Sequence, residues 1–149
     1  MSKNYDSLKL ENQLCFPLYA CAKEIVRQYR PYLEPLDLTY TQYLALVVLW
    51  ECESSSVKAL GEKLYLDSGT LTPVLKTLEK KGYIKRNRSE EDERVLIVEI
   101  TRLGLSLRDK VADFPRKEAQ TACLTEEENI QLYTLLNKML ASTKQKEKL

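Results

Sequence analysis

From about Asn12 to Arg30, the apolar residues Leu14, Leu18, Cys21, Ile25 and Tyr29 recur every three or four positions, the spacing of one helical stripe. Pro31 is expected to end that helix. Pro17 is expected to kink it beside Cys15 unless the helix starts only just before the ring, because an internal proline removes a backbone bond. The stretch LTYTQYLALVVLWEC opens with Thr39 three residues before Gln42, a capping box, and then runs apolar almost all round, as a helix buried in a core does.

Next, SSSVKALGEKLYLDSGTLTPVLKTLEKKGYI predicts two short helices separated by a tight turn, a helix-turn-helix pattern. One is capped near Ser56, and the other is capped by Asp67 or Ser68 and closed by Gly82 at the C′ position. YIKRNR and the β-branched RVLIVEI flank the polar SEEDE as two strands with a charged tip, a wing. Beyond Thr101, RLGLSLRDKVADF reads as a helix stopped by Pro115. LTEEENIQLYTLLNKMLAS is a last helix with a Thr125–Glu128 capping box, and the lysine-rich tail after Ser142 is expected to fray. About six helices and one hairpin make a mainly α (α+β) winged helix-turn-helix in a single domain, 1–149, with its DNA-binding part at about 55–100. The outer segments, about 8–35 and 102–142, exceed a minimal winged helix and carry apolar stripes that one small domain does not cover, so they are expected to form a homodimer.

Composition narrows the chemistry. With 149 residues and 44% hydrophobic content, one core is expected. No run of 18 or more apolar residues and no signal peptide pattern appears, which predicts a soluble cytoplasmic protein with no membrane partner. Four cysteines show no CxxC pair and no zinc-site spacing, and histidine is absent, so hydrolytic and metal-dependent enzymes are poor fits. Neither an enzyme nor a metal or other cofactor is expected. The net charge of +1 hides a local excess: residues 58–88 hold eight Lys/Arg against three Asp/Glu, a net of +5, whereas 1–57 and 89–149 are each −2. That is how a nucleic-acid footprint can sit in a near-neutral protein, although charge alone equally suits a solvated helix face.

The chain resembles the MarR family of winged-helix regulators, and within it the organic-hydroperoxide-sensing (OhrR-type) branch. The likeness runs from LENQLCFPLY through LTYTQYLALVVLWE and LGEKLYLDSGTLTPVLKTLEKKGYIKRNRSEEDER to about Pro115 and is weaker in the C-terminal quarter. DER at 92–94 followed by a strand and Thr101 is the wing signature of the family at large, whereas LYLDSGTLTP and the cysteine in NQLCF point to the branch. The resemblance implies a homodimeric repressor that sits on double-stranded operator DNA and lets go when a cysteine is oxidised, with organic hydroperoxide as the inducer.

For DNA, the helix from about Ser68 to Lys81 is expected in the major groove, with Ser68, Gly69 and Thr70 at base edges, Thr72 and Pro73 one turn on, and Lys76 reaching phosphate. In the wing, Arg86 and Arg88 suit phosphate contacts, and Arg94 resembles the family arginine of the minor groove, oriented by Asp92. Without the resemblance, a surface ion pair between Asp92 and Arg94 is as good a reading. Two recognition helices about 34 Å apart predict an inverted-repeat operator.

A free cysteine usually packs as a small hydrophobe, which is the expectation for Cys21, Cys52 and, less firmly, Cys123. Cys15 matches the branch's peroxidatic position and lies near a helix N-terminus, where backbone N–H groups favour negative charge. Apolar neighbours Leu14, Phe16 and Leu18 favour organic peroxides over hydrogen peroxide. The resemblance also marks Tyr29 and Tyr40 as hydrogen-bond donors to the sulfur. Tyr29 lies 14 residues after Cys15, about 21 Å along one helix, so a Cys15 sulfur that it touches belongs to the other subunit. Tyr19, one turn from Cys15, either lines the same pocket or is a core aromatic with a wet hydroxyl. Some members of the branch form an intersubunit disulfide with a C-terminal resolving cysteine, and others react with a small thiol. Cys123 lies in about the right region to be the candidate resolving thiol, while Cys21, about 9 Å along and roughly 240° around the helix from Cys15, is outside disulfide range. Three rivals stand beside this reading: a MarR-type regulator of small aromatic ligands with structural cysteines, a thiol peroxidase, and a DNA-binding module without a sensor.

Overall fold

The computed structural model describes residues 5–114 and 123–146. The chain divides into two compact units, residues 1–115 and 116–149. In the first, two 3₁₀ turns (Asp6–Leu8 and Leu10–Asn12) precede α1 (Cys15–Leu33), a 3₁₀ turn (Glu34–Leu36) and α2 (Tyr40–Cys52). Then come β1 (Ser54–Ser56), α3 (Val57–Leu64), α4 (Ser68–Lys80), the hairpin β2 (Ile84–Arg88) and β3 (Leu96–Ile100), and α5 (Arg102–Val111). In the second, α6 (Glu126–Lys146) starts at the expected box, with Thr125 Oγ accepting from the Glu128 N–H (3.3 Å) and the Glu128 carboxylate accepting from the Thr125 N–H (2.8 Å). It runs past Ser142, where fraying was expected. Pro115 lies outside the described residues. No helix among the described residues is long and apolar enough to cross a membrane.

Of the two prolines of α1, Pro17 falls in the case that the expectation exempted and Pro31 departs from it. Pro17 falls in the first turn, where its missing N–H would have had no intrahelical partner, so the ring kinks nothing beside Cys15. Pro31 does not end the helix, which continues to Leu33. Losing one hydrogen bond in the last turn is tolerable because the chain tightens at once into the Glu34–Leu36 turn, and the Glu34 N–H still bonds to the Arg30 carbonyl.

Leu46 and Leu49 of α2, Leu60 of α3, Leu71, Leu75 and Leu78 of α4, Ile84 of β2 and Val98 of β3 are almost wholly buried and form the core. The expected Thr39–Gln42 capping box starts α2, and Tyr43, Ala45, Leu46, Val48 and Leu49 bury more than one side of it. The exposed remainder is concentrated on α1 and α6: Phe16, Tyr19 and Ile25 on the first, Ile130, Tyr133 and Leu135 on the second. The sequence reading missed β1. Serine is a poor strand former, and these three pair only because the Glu53 turn (φ 60°) lays them along β3, giving the antiparallel order β1-β3-β2.

The hairpin meets α5 at Gly104. A Cβ there would lie 2.2 Å from the Tyr83 carbonyl oxygen and 2.7 Å from Ile100 Cδ1. That oxygen already accepts from the Thr101 N–H (3.0 Å), and the Gly104 carbonyl accepts from Trp50 Nε1 (2.9 Å), so neither side can retreat alone. Helix propensity favours alanine by about 0.5–1 kcal/mol, but overpacking of this kind costs about 1–3 kcal/mol. Gly104→Ala should therefore lower the thermal midpoint by several degrees; an unchanged or raised midpoint would show that α5 can ride outward freely.

Candidate nucleic-acid interface and sensor thiol

The helix-turn-helix is set by two caps and a tight turn. Ser56 Oγ accepts from the Ala59 N–H (3.1 Å) at the start of α3. Tyr65 takes a left-handed conformation (φ 55°), the Leu66 N–H returns to the Gly61 carbonyl (2.9 Å), and a Cβ on Gly61 would sit 2.8 Å from the Leu66 oxygen. Of the two capping candidates it is Asp67 that starts α4, accepting from the Thr70 N–H (2.8 Å) and hydroxyl (3.0 Å). Those bonds, the backbone one foremost, hold the Asp67 carboxyl below its ordinary range.

With Leu71, Leu75 and Leu78 turned into the core, α4 exposes Ser68, Gly69, Thr70, Pro73 and Lys76, and Thr72 is half-buried beside them. The sequence-predicted base-reading residues are thus exposed or half-exposed in the first two turns of α4. Pro73 lacks an N–H, so the Gly69 carbonyl has no donor four residues on and can accept from outside the helix. Thr70 gives its proton to Asp67 and keeps its lone pairs for a ligand. Gly82 (φ 77°) then closes α4 at the expected C′ position, with the Tyr83 N–H bonded to the Leu78 carbonyl (3.0 Å) and the Gly82 N–H to Glu79 (2.9 Å).

At the wing tip the Asp92 carboxylate accepts from Arg94 Nε (3.0 Å), Nη2 (3.2 Å) and the backbone N–H (3.0 Å), and Arg94 remains 91% exposed. These bonds hold Asp92 below the usual carboxylate range. Arg88 is exposed at the end of β2. Arg86, expected to contact phosphate, is placed otherwise: its Nη2 and Nε lie 2.6 and 2.9 Å from Glu79 Oε2, and its side chain is only 19% exposed. It braces β2 against α4. The Arg86 guanidinium holds Glu79 below its ordinary pKa, so this brace is present at neutral pH and is lost only as pH falls through that lowered folded value. Three of the eight cations in 58–88 are in ion pairs, Lys63 with Glu51, Lys81 with Asp37 and Arg86 with Glu79.

Cys15 is the first residue of α1 and is exposed, between Leu14 (72% exposed) and Phe16 (44%). Tyr19 is exposed as well, with Lys23 Nζ 5.5 Å from its ring centre, and is no core aromatic in the single chain. Tyr29 and Tyr40 meet edge to face, centroids 5.0 Å apart, and Tyr43 joins them at 5.7 and 6.0 Å. Burial pushes the Tyr40 phenol above its ordinary pKa, and burial together with Tyr40 does the same to Tyr43, so both keep their protons at neutral pH. The structure therefore brings the two sequence-predicted tyrosines together and keeps them one long helix away from Cys15 of the same chain. Tyr43 was missed, although its place three residues after Tyr40 puts it on the same face. Cys21, Cys52 and Cys123, expected to pack, are all exposed, Cys21 beside the exposed Ile25 on its stripe and Cys52 at the end of α2. Cys52 Sγ donates to the Val48 carbonyl (3.2 Å). Among the described residues no cluster could hold a metal ion.

The chain has recognisable relatives. Residues 27–111 match the family described as transcriptional regulator SarA/Rot. The organic hydroperoxide resistance transcriptional regulator of Bacillus subtilis (strain 168) is 55% identical over 115 residues, covering 77% of this chain and 78% of the relative. AbfR, a protein of Staphylococcus epidermidis, has a solved structure in its reduced form bound to DNA. That structure is 34% identical over 93% of this chain and 96% of its own, with a TM-score of 0.75. The disulfide form of AbfR is 35% identical over 93% of this chain and 94% of its own, with a TM-score of 0.64. The chain belongs to the MarR family of winged-helix transcriptional regulators, in the branch of the organic hydroperoxide resistance regulators.

Proposed function

We propose that the protein is a homodimeric repressor whose grip on an inverted-repeat operator is released when an organic hydroperoxide oxidises Cys15. One observation carries the reading: Cys15 and the Tyr29–Tyr40 pair lie on elements of one chain too far apart to touch, about 21 Å along α1, so a second copy is needed to complete the site. The exposed apolar side chains of α1 supply a surface for that copy, and those of α6, taken by themselves, suit the same role. In the dimer, α1 of each subunit lays its N-terminal thiol against the partner's tyrosines, whose retained protons suit them to donate to sulfur.

The Cys15 thiolate attacks the terminal oxygen of the peroxide, the O–O bond breaks, and the products are a sulfenic acid and an alkoxide that leaves as the alcohol after protonation. A second thiol then condenses with the sulfenic acid, releasing water and forming a disulfide. Cys123 of the other subunit is the candidate, its exposure being compatible, and a small cellular thiol is the alternative. Thiol reductants reverse either product. Ser68, Gly69, Thr70, Thr72 and Pro73 read base edges, Lys76 and Arg88 hold phosphate, and Arg94, aimed by Asp92, enters the minor groove. Arg86 acts through Glu79.

The test is operator binding by fluorescence anisotropy before and after a slight molar excess of an organic hydroperoxide. Release that dithiothreitol reverses is expected. Binding that ignores peroxide but yields to phenolic compounds would replace the redox reading with the aromatic-ligand one.

A further inference from the structure

One lysine ties the recognition helix to the turn between α1 and α2. Lys81 is the C-cap of α4, immediately before the left-handed Gly82 that leads into the wing. Its ammonium lies 2.9 Å from Asp37 Oδ2 and also donates to the Asp37 carbonyl. The lysine side chain is 21% exposed, so its stem is held as well as its head. Asp37 closes the Glu34–Leu36 turn in the left-handed region (φ 52°, ψ 45°), between the buried Leu33 and Leu38. That turn joins the helix carrying Tyr29 to the helix whose first residue is Tyr40.

We infer that Lys81 is a positioning residue, and that its clamp on Asp37 passes a displacement of the Tyr29–Tyr40 pair to the recognition helix. The inference rests on the redox-release reading above. Any separation of Tyr29 from Tyr40 must be absorbed by the six residues between their helices, and Asp37 caps the 3₁₀ turn within them. Attachment to both the carboxylate and the carbonyl of that residue resists rotation as well as separation, so α4 follows the turn. A pair whose acid is 92% exposed does little for stability, which leaves geometry as what the clamp contributes.

Operator affinity would be measured by anisotropy in the reduced and hydroperoxide-treated states for the parent, Lys81→Met, Asp37→Asn and the double variant. Methionine keeps the apolar stem, and asparagine tolerates the left-handed backbone. The ratio of reduced to oxidised affinity is expected to fall by about 3- to 10-fold in each single variant, with no further fall in the double variant. A lysine that merely touched phosphate would weaken both states alike and leave the ratio intact, and Asp37→Asn would then do nothing; that result overturns the clamp. A parent that keeps its DNA after oxidation would sink the redox reading, and the clamp with it. A parent that releases while the variants release equally overturns the clamp alone.

Discussion

Cys15→Ser is expected to keep operator DNA bound through a hydroperoxide dose that strips it from the parent. Serine differs from cysteine by one atom, but its hydroxyl is not ionised near neutral pH and does not cleave an O–O bond, whereas the thiolate does. Coupling free energies of the usual size correspond to about a 5- to 150-fold loss of affinity in the parent, against less than about 2-fold in the variant. The substitution falls in the first turn of α1 on a residue exposed in the single chain, and it exchanges one small side chain for another, so the fold of each subunit should change in stability by less than about 0.5 kcal/mol. Cys21→Ser and Cys52→Ser should behave as the parent, and they are needed because exposure makes both thiols open to oxidant. Cys123→Ser separates the two fates of the sulfenic acid. If Cys123 resolves it, the peroxide-induced cross-linked dimer on a non-reducing gel disappears in that variant; if a small thiol does, the parent shows no such dimer. Loss of DNA from oxidised Cys15→Ser would move the sensor to one of the other three cysteines.

Local chemistry was what the sequence displayed best. Thr39–Gln42, Ser56, Asp67, Gly82 and Thr125–Glu128 each act within four residues of themselves, and each does in the structure what its type and spacing predict. The wing was legible for the same reason, being a polar tip between YIKRNR and the β-branched RVLIVEI. Pairings that need the fold were not. Nothing in the spacing of Glu79 and Arg86, seven residues apart across a helix end, shows that a tight αL turn will bring them together. Lys81 and Asp37 are 44 residues apart, and β1 exists only because β3 offers it a ladder. The cysteines show a different limit. A stripe such as Leu14–Leu18–Cys21–Ile25 reads as core, but the sequence does not say whether the matching surface belongs to the same chain or to another copy.

Affinity for operator should fall by about 10³–10⁵ between 50 and 200 mM salt if a dimer neutralises about six to ten phosphates. The structure makes this sharper by sorting the arginines of β2. Arg88 is exposed and in no ion pair described above, so Arg88→Met should flatten the slope of log affinity against log salt by about 2, one contact from each subunit. Arg86 is only 19% exposed and bonded twice to Glu79, so Arg86→Met should leave the slope within about 0.5 of the parent and act instead by loosening β2 from α4. The same logic predicts that Glu79→Gln weakens binding even though it removes a negative charge from the DNA-facing unit. A footprint made of net charge alone would gain affinity from that change, because the repulsion of phosphate by Glu79 would be gone. A positioned footprint loses it, since the freed Arg86 no longer holds the wing at the angle from which Arg94 reaches the groove. Tighter binding by Glu79→Gln would therefore show that the basic block acts as a diffuse cloud, and that the brace between wing and helix has no part in recognition.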